Sequence, residues 1–248
     1  MTKRYALRDD QWEQIKDLLP GRANTVGVTA KDNSPFVEAV LYRYRLGIPW
    51  RDLPERFGDF RVVHTRFSCW AKAGVWQKVF EVLAKNSDNE YAMLDSTIVR
   101  AHQHSAGKKE QAIGRSKGGL STKIHARTDA LGNLTGFYLT AGQAHDLNGA
   151  NVLLDLSLSQ TWLMDKAYNS KDRVIDPIHK INGQIVMPSK SNVIDQRDYV
   201  QHLYKARHLI ENFFTNLKQY RGIVTRYDKL AQNFLSAIYL ASIMIWLN

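Results

Sequence analysis

A single cysteine, Cys69, in 248 residues leaves no intrachain disulfide and no thiolate zinc cage, and gives no hint of secretion. The N-terminus, MTKRYALRDDQW, lacks the apolar core of a signal peptide. A membrane span is also missing. Residues 230–248 carry no charge, but Gln232, Asn233, Ser236, Ser242 and Asn248 make the stretch too polar and too short, so a buried terminal helix is expected. Acidic residues are in deficit, 24 against 34 Lys and Arg, and the net charge is +10. Such a surplus favours polyanionic partners, nucleic acid first, although a merely basic soluble protein has the same balance. The 44% hydrophobic content supplies a core for one large domain or two modest ones. A cytoplasmic, bacterial, nucleoid-associated protein fits these bounds.

Residues 1–86 read as helical. Asp9 or Asp10 caps a helix running to Leu19, and Ser34-Pro35 opens another that Gly47 ends. A short helix over Trp50–Phe57 and a longer one over Phe60–Ala73 follow, in the order of a helix-turn-helix unit. On the last helix Val63, Phe67 and Trp70 form an apolar stripe, and Arg61, Thr65, Ser68 and Lys72 share another face. Two readings of that face stand open, one lying in a DNA major groove and one simply solvated.

The polar run NSDNE at 86–90 marks a boundary, after which the pattern alternates between strands and helices. Strands are expected at YAMLDSTIV, STKIHARTD, LTGFYLTA, TWLMD and GQIVMP. Helices are expected over 146–158, 169–181, 198–220 and 228–248. This predicts an α/β domain with a mixed sheet over 87–248, preceded by a small all-α domain over 1–86. Residues 98–127 hold seven Lys and Arg (Arg100, Lys108, Lys109, Arg115, Lys117, Lys123, Arg127) against Glu110, and their glycines suggest a basic loop for DNA backbone.

Three carboxylates stand out. Asp95 interrupts the apolar strand MLDSTI, and Asp165 closes WLM at a strand's carboxyl end, where open α/β sheets bind ligands. Glu211 belongs to the run YKARHLIENFFTNLK. On one helix Tyr204, Arg207, Glu211 and Lys218 fall within roughly 60° of one another, beside an apolar stripe of Leu203, Ile210, Phe213, Phe214 and Leu217. Three hard oxygen donors from separate elements suit Mg²⁺ or Mn²⁺, and two such ions support in-line phosphoryl displacement.

The pattern resembles the D-D-E transposases of the bacterial insertion-sequence-five-like group. The matching pieces are LDSTIVRAHQHSAG, GGLSTKIHA, TAGQAHD, MDKAYNS, the Tyr204-x₂-Arg207-x₃-Glu211-x₆-Lys218 motif with RYDK after it, and GIPWRDLPERFG with FRVVHTRFSCW. The resemblance implies a ribonuclease-H-like core with Asp95 on the first strand, Asp165 after the fourth, and Glu211 on a later helix. It implies metal-dependent cutting at the ends of a mobile element and joining to target DNA, with two Mg²⁺ or Mn²⁺ ions. The implied partners are double-stranded DNA, as terminal inverted repeats and target, and a second copy in a synaptic homodimer. VMPSKSN stands where relatives often carry a more basic, proline-rich stretch.

The expected roles follow. Asp95 and Asp165 hold both ions and Glu211 one. Arg207 and Lys218 either clamp phosphates or pair with Glu211, and Tyr204 either touches DNA or packs at the core edge. Arg61, Thr65, Lys72, Lys108, Lys109, Arg115 and Lys117 are the candidate DNA contacts. His102, His104, His125 and His145 invite a zinc reading, but their spacing does not support it. A DNA-binding repressor or inactive copy, and a nuclease on the same fold, are the alternatives.

Overall fold

A computed structural model describes residues 7–21, 30, 32–106, 110–189 and 198–248. Packing divides the chain into two compact units, residues 1–83 with 217–248, and residues 84–216. The last 32 residues group by packing with the N-terminal helices.

The first unit is helical, with α1 (Asp9–Ile15), α2 (Ser34–Leu46), α3 (Phe60–Lys72) and α4 (Val75–Ala84). Pro35 sits in the first turn of α2, and Gly47 ends it in the left-handed region at φ 71°. A Cβ on Gly47 would also lie 3.0 Å from that of Arg221, so both the conformation and the packing call for glycine. The expected short helix over 50–57 is two 3₁₀ turns, Trp50–Asp52 and Glu55–Phe57, separated by Pro54. On α3 the stripe Val63, Phe67 and Trp70 is buried, while Arg61, Thr65 and Lys72 are exposed. Ser68 turns inward enough to accept a hydrogen bond from Asn233 Nδ2 at 3.2 Å.

The uncharged C-terminal stretch forms a helix, Ala231–Trp246, buried on nearly all sides. Its Tyr239 ring stacks 5.1 Å from Phe80, and Arg8 donates to the Leu247 carbonyl at 2.9 Å. Burying each large apolar side chain here contributes about 1.5–3 kcal/mol, which explains why the stretch tolerates no charge. No described helix is long and apolar enough to cross a membrane.

The second unit is built on a mixed sheet. Strands β1 (Ala92–Ala101), β2 (Gly114–Ser116), β3 (Gly119–Thr128), β4 (Leu134–Ala141), β5 (Thr161–Met164) and β6 (Gln184–Val186) run in chain order. β1 lies between antiparallel β3 and parallel β5, and β6 extends the parallel side. β2 and β4 pair with successive parts of the outer edge of β3. The basic segment is therefore largely a hairpin, and Asp165 follows the fifth described strand rather than the fourth.

One face of the sheet presents Leu94, Trp162 and Met164 to α5 (Leu147–Leu153) and α6 (Asp176–Lys180), which contribute Ala150, Leu153 and Ile178. The expected helix over 169–181 begins as a π-helical turn, Lys171–Ile175. The other face presents Asp95 and Phe137. Phe137 stacks 5.9 Å from Phe213 of α8 (His208–Leu217), and α7 (Gln201–Lys205) precedes α8. The single helix expected over 198–220 is thus broken. Around the break Arg207 and Leu209 donate to the carbonyls three residues back, at 3.1 and 2.9 Å, which interrupts the α-helical ladder.

Candidate active site

Asp95 and Asp165 are brought together by strand register. Leu94 of β1 pairs with Met164 of β5 in parallel, so Asp95 and Asp165 are the next residues along two neighbouring strands whose backbones run roughly 4.8 Å apart. The apolar residues before them, Met93, Leu94, Leu163 and Met164, are fully buried and anchor this part of both strands in the core. Asp165 Oδ1 accepts from the Ala167 amide at 2.8 Å. Asp95 Oδ1 accepts from the Ser96 amide at 2.8 Å, and its Oδ2 accepts from Arg207 Nη2 at 2.7 Å.

Arg207 is the hub of the site. It sits at the break between α7 and α8, where its guanidinium also reaches Tyr204 Oη at 3.4 Å and Glu211 Oε1 at 3.7 Å. Its side chain is 12% exposed and that of Asp95 is 18% exposed, so their pair is substantially desolvated. Glu211, by contrast, is 61% exposed. Burial holds the Asp95 carboxyl above the usual range. The Arg207 charge and the Ser96 amide oppose that rise, and the Asp165 charge adds to it. Burial acts to lower Arg207, but the Asp95 charge, the Tyr204 hydroxyl and the Asp165 charge together outweigh it and raise the guanidinium. Tyr168 is pushed well up by burial and then by the charges of Asp95, Asp146 and Asp165.

Asp146 belongs to a network that sequence reasoning did not assign. It accepts from Ser96 Oγ at 2.6 Å and from Lys123 Nζ at 2.8 Å, and Lys123 also donates to the Ala144 carbonyl at 2.6 Å. Burial acts to raise Asp146, but donation from Lys123 and Ser96 outweighs it and holds the carboxyl below its usual range. Nearby His125 is fully buried and lowered to about 4, chiefly by burial. Its Nε2 bonds Thr140 Oγ1 at 2.8 Å, and its Nδ1 has no partner among the described residues. The available signal was an ionisable pair, Lys123 and His125, inside a buried strand.

The remaining predicted residues lie elsewhere. Arg115 and Lys117 are exposed on β2 and its turn, beside a cleft of about 490 Å³ lined by Ile98, Arg100, Ser116 and Ser121. Arg61 and Thr65 line a shallow cleft of about 380 Å³ on α3. Lys72 is exposed on α3, and Lys218 is exposed just past the end of α8. Lys108 and Lys109 fall outside the described residues.

No group of three or more His, Cys, Asp or Glu among the described residues is arranged as a ready metal site, and this includes His102, His104, His125 and His145. The chemistry of the site nevertheless fits a hard divalent cation. Asp95 and Asp165 lie on neighbouring strands, the Asp165 charge adds to the burial that raises Asp95, and positive charge between the two carboxylates relieves both. Arg207 supplies one such charge.

Residues 87–247 match the family described as "Transposase DDE domain", and residues 7–80 match "Putative transposase of IS4/5 family". The chain belongs to the DDE transposases.

The chain is also similar to three bacterial proteins. The transposase is 38% identical over 135 residues to a Brucella ovis protein named "Putative transposase for insertion sequence element IS6501", covering 52% of this chain and all of that one. An uncharacterized Sinorhizobium fredii protein, y4sN, is 47% identical over 113 residues, 46% of this chain and 86% of that one. An uncharacterized 16.2 kDa protein of Burkholderia cepacia insertion element IS402 is 31% identical over 105 residues, 38% and 71% of the two chains. The mixed sheet with flanking helices is the ribonuclease-H-like fold of a DDE domain, and the transposase is a DNA-acting enzyme of a divalent-metal-dependent class.

Proposed function

We propose that this transposase cuts DNA at the ends of an insertion sequence and joins the freed ends to target DNA, using Asp95, Asp165 and Glu211 with two divalent ions, Mg²⁺ or Mn²⁺. The observation that carries the reading is the side-by-side placement of Asp95, within β1, and Asp165, just past the end of β5, with Arg207 against Asp95. Asp95 and Asp165 would hold the ions, and Glu211, one helical turn from Arg207, would complete the set. Bound there, divalent ions activate the attacking oxygen and stabilise the leaving one.

In the first step water attacks the phosphorus at the element end. The P–O3′ bond breaks, giving a 3′-hydroxyl and a 5′-phosphate. In the second step that 3′-hydroxyl loses its proton and attacks a target phosphodiester, and the displaced target 3′-oxygen takes up a proton. Glu211 is exposed and suits the proton-accepting role. Arg207 presents a planar fork beside the carboxylates for the scissile phosphate, and Tyr204 holds that fork from one side. Lys218, Arg115 and Lys117, with Lys108 and Lys109, offer charge to the flanking backbone. The helical region over 1–86 reads the element ends through Arg61, Thr65 and Lys72, and 87–248 is the catalytic domain. Synapsis of two ends favours a homodimer acting in the bacterial cytoplasm, at the nucleoid.

The test supplies purified protein, a duplex carrying the element's terminal repeats, a target plasmid and Mg²⁺. Nicking and strand transfer are expected, and Asp95→Ala should abolish both while binding to the terminal duplex persists. Binding without metal-dependent cleavage would leave a repressor or an inactive copy. Cleavage without joining would leave a nuclease.

A further inference from the structure

We propose that Lys123 and Asp146 are positioning residues for Asp95, acting from the opposite face of the sheet through Ser96. The inference rests on the reading of Asp95 as a metal ligand.

Consecutive strand residues point to opposite faces, so Asp95 and Ser96 look in opposite directions from β1. In the β1–β3 register Ser96 stands opposite His125 and Ile98 opposite Lys123, which places Ser96, Lys123 and His125 on one face. The same face receives α5. Gly149 of α5 lies so close to the His125 ring that a Cβ there would fall 2.3 Å from Nδ1. Only glycine permits this approach, and the approach sets Asp146, the residue before α5, over Ser96 and Lys123.

Ser96 then joins the two faces. Its hydroxyl donates to Asp146 at 2.6 Å, and its amide donates to Asp95 Oδ1 at 2.8 Å. Holding the Ser96 hydroxyl from behind restrains the peptide that orients the Asp95 carboxylate in front. Lys123 is 8% exposed, and it donates to Asp146 and to the Ala144 carbonyl on its own face. It is therefore too buried to serve as a phosphate contact. Its charge anchors Asp146, and removing one partner of such a pair leaves the other uncompensated. Groups that orient metal ligands in this way typically change metal affinity or activity by about 10–100-fold when removed.

The experiment uses the full chain with terminal-repeat DNA. Mn²⁺ affinity is read by electron paramagnetic resonance, and kcat and KM for nicking are measured with Mg²⁺. Ser96→Ala and Asp146→Ala should each weaken Mn²⁺ binding and kcat by about tenfold. KM for DNA should not change, and the double variant should be no worse than either single one. Ser96→Thr, which keeps the hydroxyl, should recover most of the loss. Lys123→Met should leave the salt dependence of DNA binding unaltered. Should that variant fail to fold, Ser96→Ala removes only one hydroxyl and carries the test alone.

The proposal is overturned if Ser96→Ala and Asp146→Ala add in full. It is also overturned if they shift only the melting temperature with Mn²⁺ affinity intact, or if Lys123→Met lowers DNA affinity with a shallower salt slope. Should Asp95→Ala itself keep wild-type Mn²⁺ affinity and activity, the fault lies in the assignment of Asp95, and the proposal falls with it.

Discussion

Both units bury charge, but in opposite proportions. In the helical unit two arginines surround one acid. Arg43 lies 3.4 Å from Asp228 with side chains 4% and 5% exposed, and the fully buried Arg226 donates from Nε to the Asp228 carbonyl at 3.0 Å. Aromatic rings close the cluster, with Arg43 over Tyr44 at 4.2 Å and Trp50 at 5.0 Å, and Arg226 over Phe234 at 4.8 Å. Burial lowers Arg226 to about 10, so it stays charged at neutral pH. In the sheet unit the acids Asp95, Asp146 and Asp165 outnumber Lys123 and Arg207, and the cluster opens to solvent through Glu211. A closed cluster sealed by rings ties helices together. An open cluster with surplus carboxylate retains affinity for a further cation, and that surplus is what separates a reactive site from a structural one.

The comparison can be tested by breaking each cluster in turn. Asp165→Ala should reduce strand transfer by on the order of a thousandfold, while urea unfolding of the metal-free protein stays the same or strengthens as like-charge repulsion is relieved. A marked loss of stability would make the open cluster structural too. Asp228→Ala should do the reverse. It leaves two buried arginines without their acid and should cost about 3–5 kcal/mol in denaturant titration, with little change in activity per folded molecule. A smaller effect belongs to His125. Its folded value near 4 is depressed, so the unfolded chain binds the proton more readily below about pH 6.5. The neutral ring's contribution is complete above pH 6.5 and is lost as pH falls towards 4. It amounts to about 3 kcal/mol, and unfolding free energies of His125→Phe should show a flatter slope across that window.

The two strand carboxylates were legible because an acid in an apolar strand is costly without a partner, and that rule needs no structure. The α3 stripe and the buried last helix were legible for the related reason that burial imposes periodicity or forbids charge. The break at Arg207 was not. The sequence HLYKARHLIEN has no glycine or proline to announce it, and periodicity carries no record of the ion pair to Asp95, 112 residues away. The Lys123–Asp146 pair was hidden in the same way, since it joins two elements and is fixed by how closely Gly149 approaches His125. The hairpin in the basic segment was read as loop because its glycines suggested mobility. Ser116 instead pairs with Gly119 across a two-residue turn, and the left-handed Gly119 at φ 95° permits that pairing.

The grouping of residues 217–248 with the first 83 governs the order of assembly. During synthesis the N-terminal helices emerge first, yet the helix that covers Phe80, and the acid that neutralises Arg43, arrive only after the whole sheet unit has been made. Because domains form as units when their last element is available, the sheet unit completes first, while the N-terminal helices wait with an apolar surface and an unpaired buried cation. A chain interrupted after residue 216 would keep its carboxylates and lose the support of the region expected to recognise DNA.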